Sequence, residues 1–167
     1  MADHFPYRIG TRRGDLTVIW RSGDGDEPDR LAVDELGRLL AFRERAPLQE
    51  CCDRNGWELI WEGEGDLDLL VVRRWAERPD LDSASAGLLL EAWNFFEDLA
   101  RSVRADPSLP AQGPVHDSAY EKIFGGRALD PAGGDEAWTV EETAAVRELL
   151  RAGLDLWERA VRGAAAD

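Results

Sequence analysis

The sequence predicts an α+β fold: an antiparallel sheet of two hairpins, about four strands, with long amphipathic helices packed on one face. Two patterns carry that expectation. Residues 5–21 and 57–75 alternate apolar with polar or charged side chains at the two-residue period of half-buried strands. Residues 87–105 and 139–162 instead repeat apolar side chains at helical spacing. A chain of 167 residues, 44% of them hydrophobic, is long enough for a sizeable core, so one domain spanning residues 1–167 is expected, in the order ββ-α-ββ-α-α.

In the first hairpin, FPYRIGT and LTVIWR flank RRGD, where Gly14 supplies backbone freedom. Leu16, Val18 and Trp20 share one strand face, and Thr17, Ile19 and Arg21 the other. SGDGDEPD lacks apolar periodicity and reads as an exposed acidic loop. From Asp34, a good N-cap, ELGRLLAFRER places Leu36, Leu39 and Leu40 on one helical face. Pro47 interrupts or restarts that helix, and Gly56 stands where a left-handed C-terminal cap belongs. Leu48, Cys51 and Cys52, at i, i+3 and i+4, read as core.

The second hairpin is expected at GWELIWEGEGDLDLLVVRRW. Trp57, Leu59 and Trp61 take one face, GEGD turns the chain, and LDLLVVRRW returns. Five carboxylates, Glu58, Glu62, Glu64, Asp66 and Asp68, gather around its tip. A helix starting near Ser83 or Ser85 groups Leu88, Leu89, Ala92, Phe95, Phe96 and Leu99 on a broad core face. Residues 105–138, rich in proline and glycine, read as a long irregular loop carrying a short helix, AYEKIF, with a capping box at Ser118 and Glu121. A second capping box, Thr139 and Glu142, opens the last helix.

Composition bounds the function. The longest apolar runs fall far short of the roughly 20 residues that span a bilayer, so no membrane association is expected. The first residues lack a signal-peptide layout, and the twin Arg12-Arg13 is not followed by an apolar segment. The only cysteines are the neighbours Cys51 and Cys52, a pattern of reducing compartments, and a cytoplasmic location is expected. The formal net charge is −14, from 34 acidic and 20 basic residues. With no basic stripe visible along the chain, such a protein is repelled by nucleic acid and attracted to a basic protein partner.

No diagnostic catalytic motif is present. His116-Asp117 is the one acid/base pair to weigh, since a carboxylate can orient an imidazole, although Asp117 can equally serve a helix start. With two histidines, His4 and His116, a histidine-rich metal centre is excluded. The calcium-loop pattern beginning at Asp24 fails at Pro28 and Asp29, its fifth and sixth positions. The adjacent cysteines do not make a Cys-x-x-Cys pair, and no nucleophile elbow or phosphate-binding loop occurs. No cofactor is therefore expected. Among seven tryptophans, Trp61 or Trp75 could anchor an interface.

These observations favour an acidic, non-enzymatic binding protein that neutralises or regulates a basic protein, most concretely a bacterial immunity or antitoxin-like inhibitor. Glu58, Trp61, Glu62, Glu64, Asp66 and Asp68 would form its binding surface. A small hydrolase or transferase with a pocket near residues 105–138, using His116 and Asp117, is the alternative. A structural homodimer joined through an apolar helix face is a third.

Overall fold

A computed structural model describes residues 2–79, 84–104 and 109–164. The fold is mixed α+β, with five helices and an open five-stranded sheet among the described residues. Strands β1 (His4–Thr11) and β2 (Gly14–Arg21) form the antiparallel hairpin that the alternation predicts, with Tyr7 opposite Val18 and Thr11 opposite Gly14. Gly14, at φ 100°, lets the two-residue Arg12-Arg13 turn close. β3 (Arg30–Leu31) and β4 (Ala41–Phe42) both pair with β2 along its far side.

Residues 34–44 do not form the expected helix. The Asp34 carboxylate instead accepts from the backbone of Leu36 and Arg38, and Gly37 at φ 78° completes a turn that leaves Leu36 exposed. Helix α1 (Arg45–Asn55) starts only after β4, with Pro47 in its first turn, where no amide donor is missed. Gly56 at φ 68° caps it, as its position predicts.

The second hairpin is also replaced. Residues 57–60 are irregular apart from a bridge between Leu59 and His4, and Trp61–Gly63 make one 3-10 turn. β5 (Gly65–Asp68) then pairs in parallel with β1 as the terminal strand of the sheet. What reads as a return strand is helix α2 (Leu69–Glu77). Asp68 ends β5 and caps α2 by accepting from the Leu70 and Val71 amides, so Leu69, Val72, Trp75 and Ala76 turn inward. The glycines of WEGEG serve packing more than turning. A Cβ on Gly63 would lie 2.5 Å from the Phe5 ring, and one on Gly65 would lie 2.6 Å from Tyr7.

Helix α3 (Ala86–Val103) begins at the Ser85 cap, one of the two starts expected; Ser83 lies outside the described residues. Helix α4 (Pro114–Phe124) is longer than AYEKIF, because Pro114 pre-sets the first turn. Ser118 is thus inside the helix, not its cap, and its hydroxyl bonds Glu142 at 3.4 Å. Helix α5 (Val140–Arg162) opens with the predicted Thr139–Glu142 capping box.

The main core lies between one sheet face and helices α2 to α5, with Ile9, Val18, Leu67, Trp75, Trp93, Phe96 and Leu149 buried in it. A smaller core under α1 joins Ile19, Phe42, Leu48, Cys51, Cys52 and Leu59. The helices are therefore divided, with α1 set apart from the others. Burial pushes the Cys52 thiol up to about 11, which keeps it protonated and unreactive at neutral pH.

Candidate functional site

β5 carries the acidic segment to the edge of the sheet. Glu58, Glu62, Glu64, Asp66 and Asp68 are all exposed. Because β5 runs parallel to β1, Arg8 lies opposite Asp66 and pairs with it at 3.3 Å. Among the described residues, that is the one ion pair these five carboxylates make. Asp68 differs from the others because its carboxylate is already committed to capping α2.

Negative charge continues onto the neighbouring helix. Partial desolvation, and then repulsion by Asp66, hold Glu91 of α3 above the usual carboxylate range. Tyr7, stacked on Phe95 at 5.7 Å, has its phenol pushed up by burial and then by Glu91, Asp66 and Asp98. The β5 edge and the start of α3 thus share one negative field.

Trp61 is half-buried against the smaller core, and the Arg45 guanidinium sits 3.9 Å from its ring centre. One face of that indole is therefore covered by a cation from α1. Trp75 is 2% exposed and meets Trp138 edge-on, so it is a core residue and not an interface anchor. Trp57 stacks on His4 at 5.0 Å.

The pair His116-Asp117 is divided by helix geometry. His116 Nδ1 accepts from the Gly113 amide at 3.2 Å, capping α4, while its ring meets Trp93 edge-on. Its buried Nε2 has no hydrogen-bond partner among the described residues. Asp117 is exposed and lines an open depression with Glu97, Gln112, Tyr120 and Glu121, which His116 does not reach. The carboxylate does not orient the imidazole here. Among the described residues, no group of three or more His, Cys, Asp or Glu side chains is placed to hold a metal ion. No helix among them is long and apolar enough to cross a membrane.

One feature departs from the expectation of a chain without a basic cluster. A cavity of about 230 Å³ between the β1–β2 turn, α2 and the end of α5 is rimmed by Arg12, Arg13, Arg43, Arg73 and Arg162. These arginines come from four separate segments, and only the adjacent Arg12-Arg13 is visible as a pair in the sequence.

No family model, curated protein or solved structure matches this chain.

Proposed function

We propose that this chain is a binding protein whose acidic β5 edge takes a basic protein partner, with an immunity or antitoxin-like inhibitor as the most concrete form. The observation that supports this most is the state of Glu58, Glu62, Glu64 and Asp66. All four are exposed on one terminal strand and its approach, with Arg8 as their single ion-pair partner among the described residues. Concentrating like charge there opposes folding, and Glu91, raised first by desolvation, is raised further by Asp66. A cationic partner would relieve it. The field would steer such a partner to the edge, and the half-buried indoles of Trp57 and Trp61 would supply apolar contact beside the charge.

A simpler role for the same carboxylates is to prevent edge-to-edge strand pairing. Capture from the source-cell lysate separates the two. The wild type and a Glu58→Gln, Glu62→Gln, Glu64→Gln, Asp66→Asn variant are immobilised at low and moderate salt, and bound proteins are identified by mass spectrometry. The expected result is a stoichiometric basic protein that the wild type retains at low salt and the variant loses. Equal recovery by both, or no basic protein with either, would leave edge protection as the role. Asp68 is kept in the variant because its loss would uncap α2.

A further inference from the structure

We infer that the arginine-rimmed cavity is a binding site for a small anionic amphiphile, a carboxylate or phosphate head on a short apolar body. This site is separate from the acidic edge and does not depend on that reading. Its floor is apolar: Leu16, Leu69, Leu154 and Trp157 are each at most 6% exposed and belong to the main core. Its rim carries five guanidinium groups and a single carboxylate, Glu158.

That carboxylate is already engaged, paired with Arg73 at 2.6 Å. Arg12 lies 4.0 Å from Glu77, at the outer limit of an ion pair. Arg13, Arg43 and Arg162 make no ion pair among the described residues. Arg43 donates instead to the Arg13 carbonyl at 3.0 Å, which ties its guanidinium to the hairpin turn. The chain has 34 acidic residues, yet among the described residues none pairs with these three arginines. The end of α5 accounts for Arg162, since a cation complements the helix dipole, but it does not account for Arg13 or Arg43.

The chemistry of the rim selects the head group. Guanidinium presents a rigid fork of donors that matches carboxylate and phosphate oxygens, whereas an exposed ammonium acts as a point charge. Cavity size selects a small ligand, because about 230 Å³ is below the roughly 300 to 1,000 Å³ of pockets for drug-sized molecules. A floor of leucines and one indole selects an apolar body. The net charge of −14 repels an extended polyanion along its length. Salt screens exposed charges beyond about 8 Å, so a small anion held among the lining arginines feels them more strongly than charges farther away.

The test follows the Trp157 indole N–H resonance of the full chain in two-dimensional NMR, assigned with Trp157→Phe, and measures affinity by calorimetry. The probes are hexyl phosphate, hexanoate, hexanol and inorganic phosphate. One or both amphiphiles are expected to saturate a single site and shift the Trp157 resonance. Hexanol and inorganic phosphate should each bind at least about tenfold more weakly than the better amphiphile. The tighter head identifies the source as a phosphate ester or a carboxylic acid. The Arg13→Gln, Arg43→Gln, Arg162→Gln variant, altered only at exposed side chains, should lose about tenfold or more in affinity. Arg13→Gln alone should move in the same direction if the triple variant does not fold. No saturable shift with either amphiphile, inorganic phosphate binding as tightly as hexyl phosphate, or affinity untouched by the arginine changes would overturn the assignment.

Discussion

His4 is 8% exposed, stacks on Trp57, and leaves its buried Nε2 without a hydrogen-bond partner among the described residues. Desolvation first, and then the Arg21 charge, hold its pKa below the ordinary 6.5. The unfolded chain therefore binds that proton more readily than the folded one. Stability that rests on neutral His4 is complete above pH 6.5 and is lost as pH falls through 6.5 toward the folded-state value. Urea denaturation at about pH 7.5 and about pH 5.5 checks this, with His4→Phe keeping an aromatic ring against Trp57. The wild type should lose more stability on acidification than the variant, and equal losses would remove His4 as the cause. Glu142 works in the same direction at lower pH. Burial raises its pKa, but the hydrogen bonds from Lys122 and Thr139 outweigh this and leave it lowered overall. At this scale the sequence was informative wherever a signal was local. The Thr139 capping box, the Ser85 cap and the buried cysteines all depend on residues within four positions of one another. Ser118 misled because Gly113 and Pro114, just upstream, start the helix first.

Helices α3 and α5 cross where Phe96 meets Gly153. A Cβ at Gly153 would sit inside van der Waals contact with the Phe96 ring, although both residues are in otherwise regular helix. Two effects of Gly153→Ala oppose each other. Helix propensity favours alanine by about 1 kcal/mol, while overpacking a tight core costs about 1 to 3 kcal/mol. The ring is itself fully buried and cannot swing into solvent, so the clash should win and the melting temperature should fall. Phe96→Leu in the same background should recover part of the loss, as a double-mutant cycle would measure. A higher melting temperature for Gly153→Ala would show that the helices part at little cost. Pairing between elements was less legible in the sequence than the elements themselves. Leu69-Leu70-Val71-Val72 is an apolar run whose period fits a strand or a buried helix, and Asp68 decides for helix by capping it. The alternation at Trp57, Leu59 and Trp61 did mark a side facing the smaller core, without the chain forming a regular strand. In residues 34–44, Gly37 and the Asp34 turn overrode a leucine spacing that suited a helix.

Across the whole molecule, the acidic balance is not spread evenly. Five exposed carboxylates line the β5 edge and its approach, while five arginines from the hairpin turn, the end of β4, α2 and the end of α5 gather around one cavity. The acidic concentration was visible in the sequence because five carboxylates fall within eleven residues, 58–68. The arginine cavity was not, because it is assembled from segments that only tertiary packing of α2 and α5 against the hairpin brings together. Net charge alone would accelerate encounter with any basic protein, so the question is whether the edge or the global field directs binding. Stopped-flow association with the captured basic protein, over a range of ionic strength, answers it. Three proteins are compared: the wild type, the edge variant at Glu58, Glu62, Glu64 and Asp66, and a control with Glu121, Glu141, Glu148 and Asp155 neutralised on exposed helix positions. The expected result is an association rate about tenfold lower for the edge variant at low salt, with a flattened salt dependence, and a much smaller change for the control. Equal slowing of the two variants, or no slowing of the edge variant, would contradict a binding role for the β5 edge.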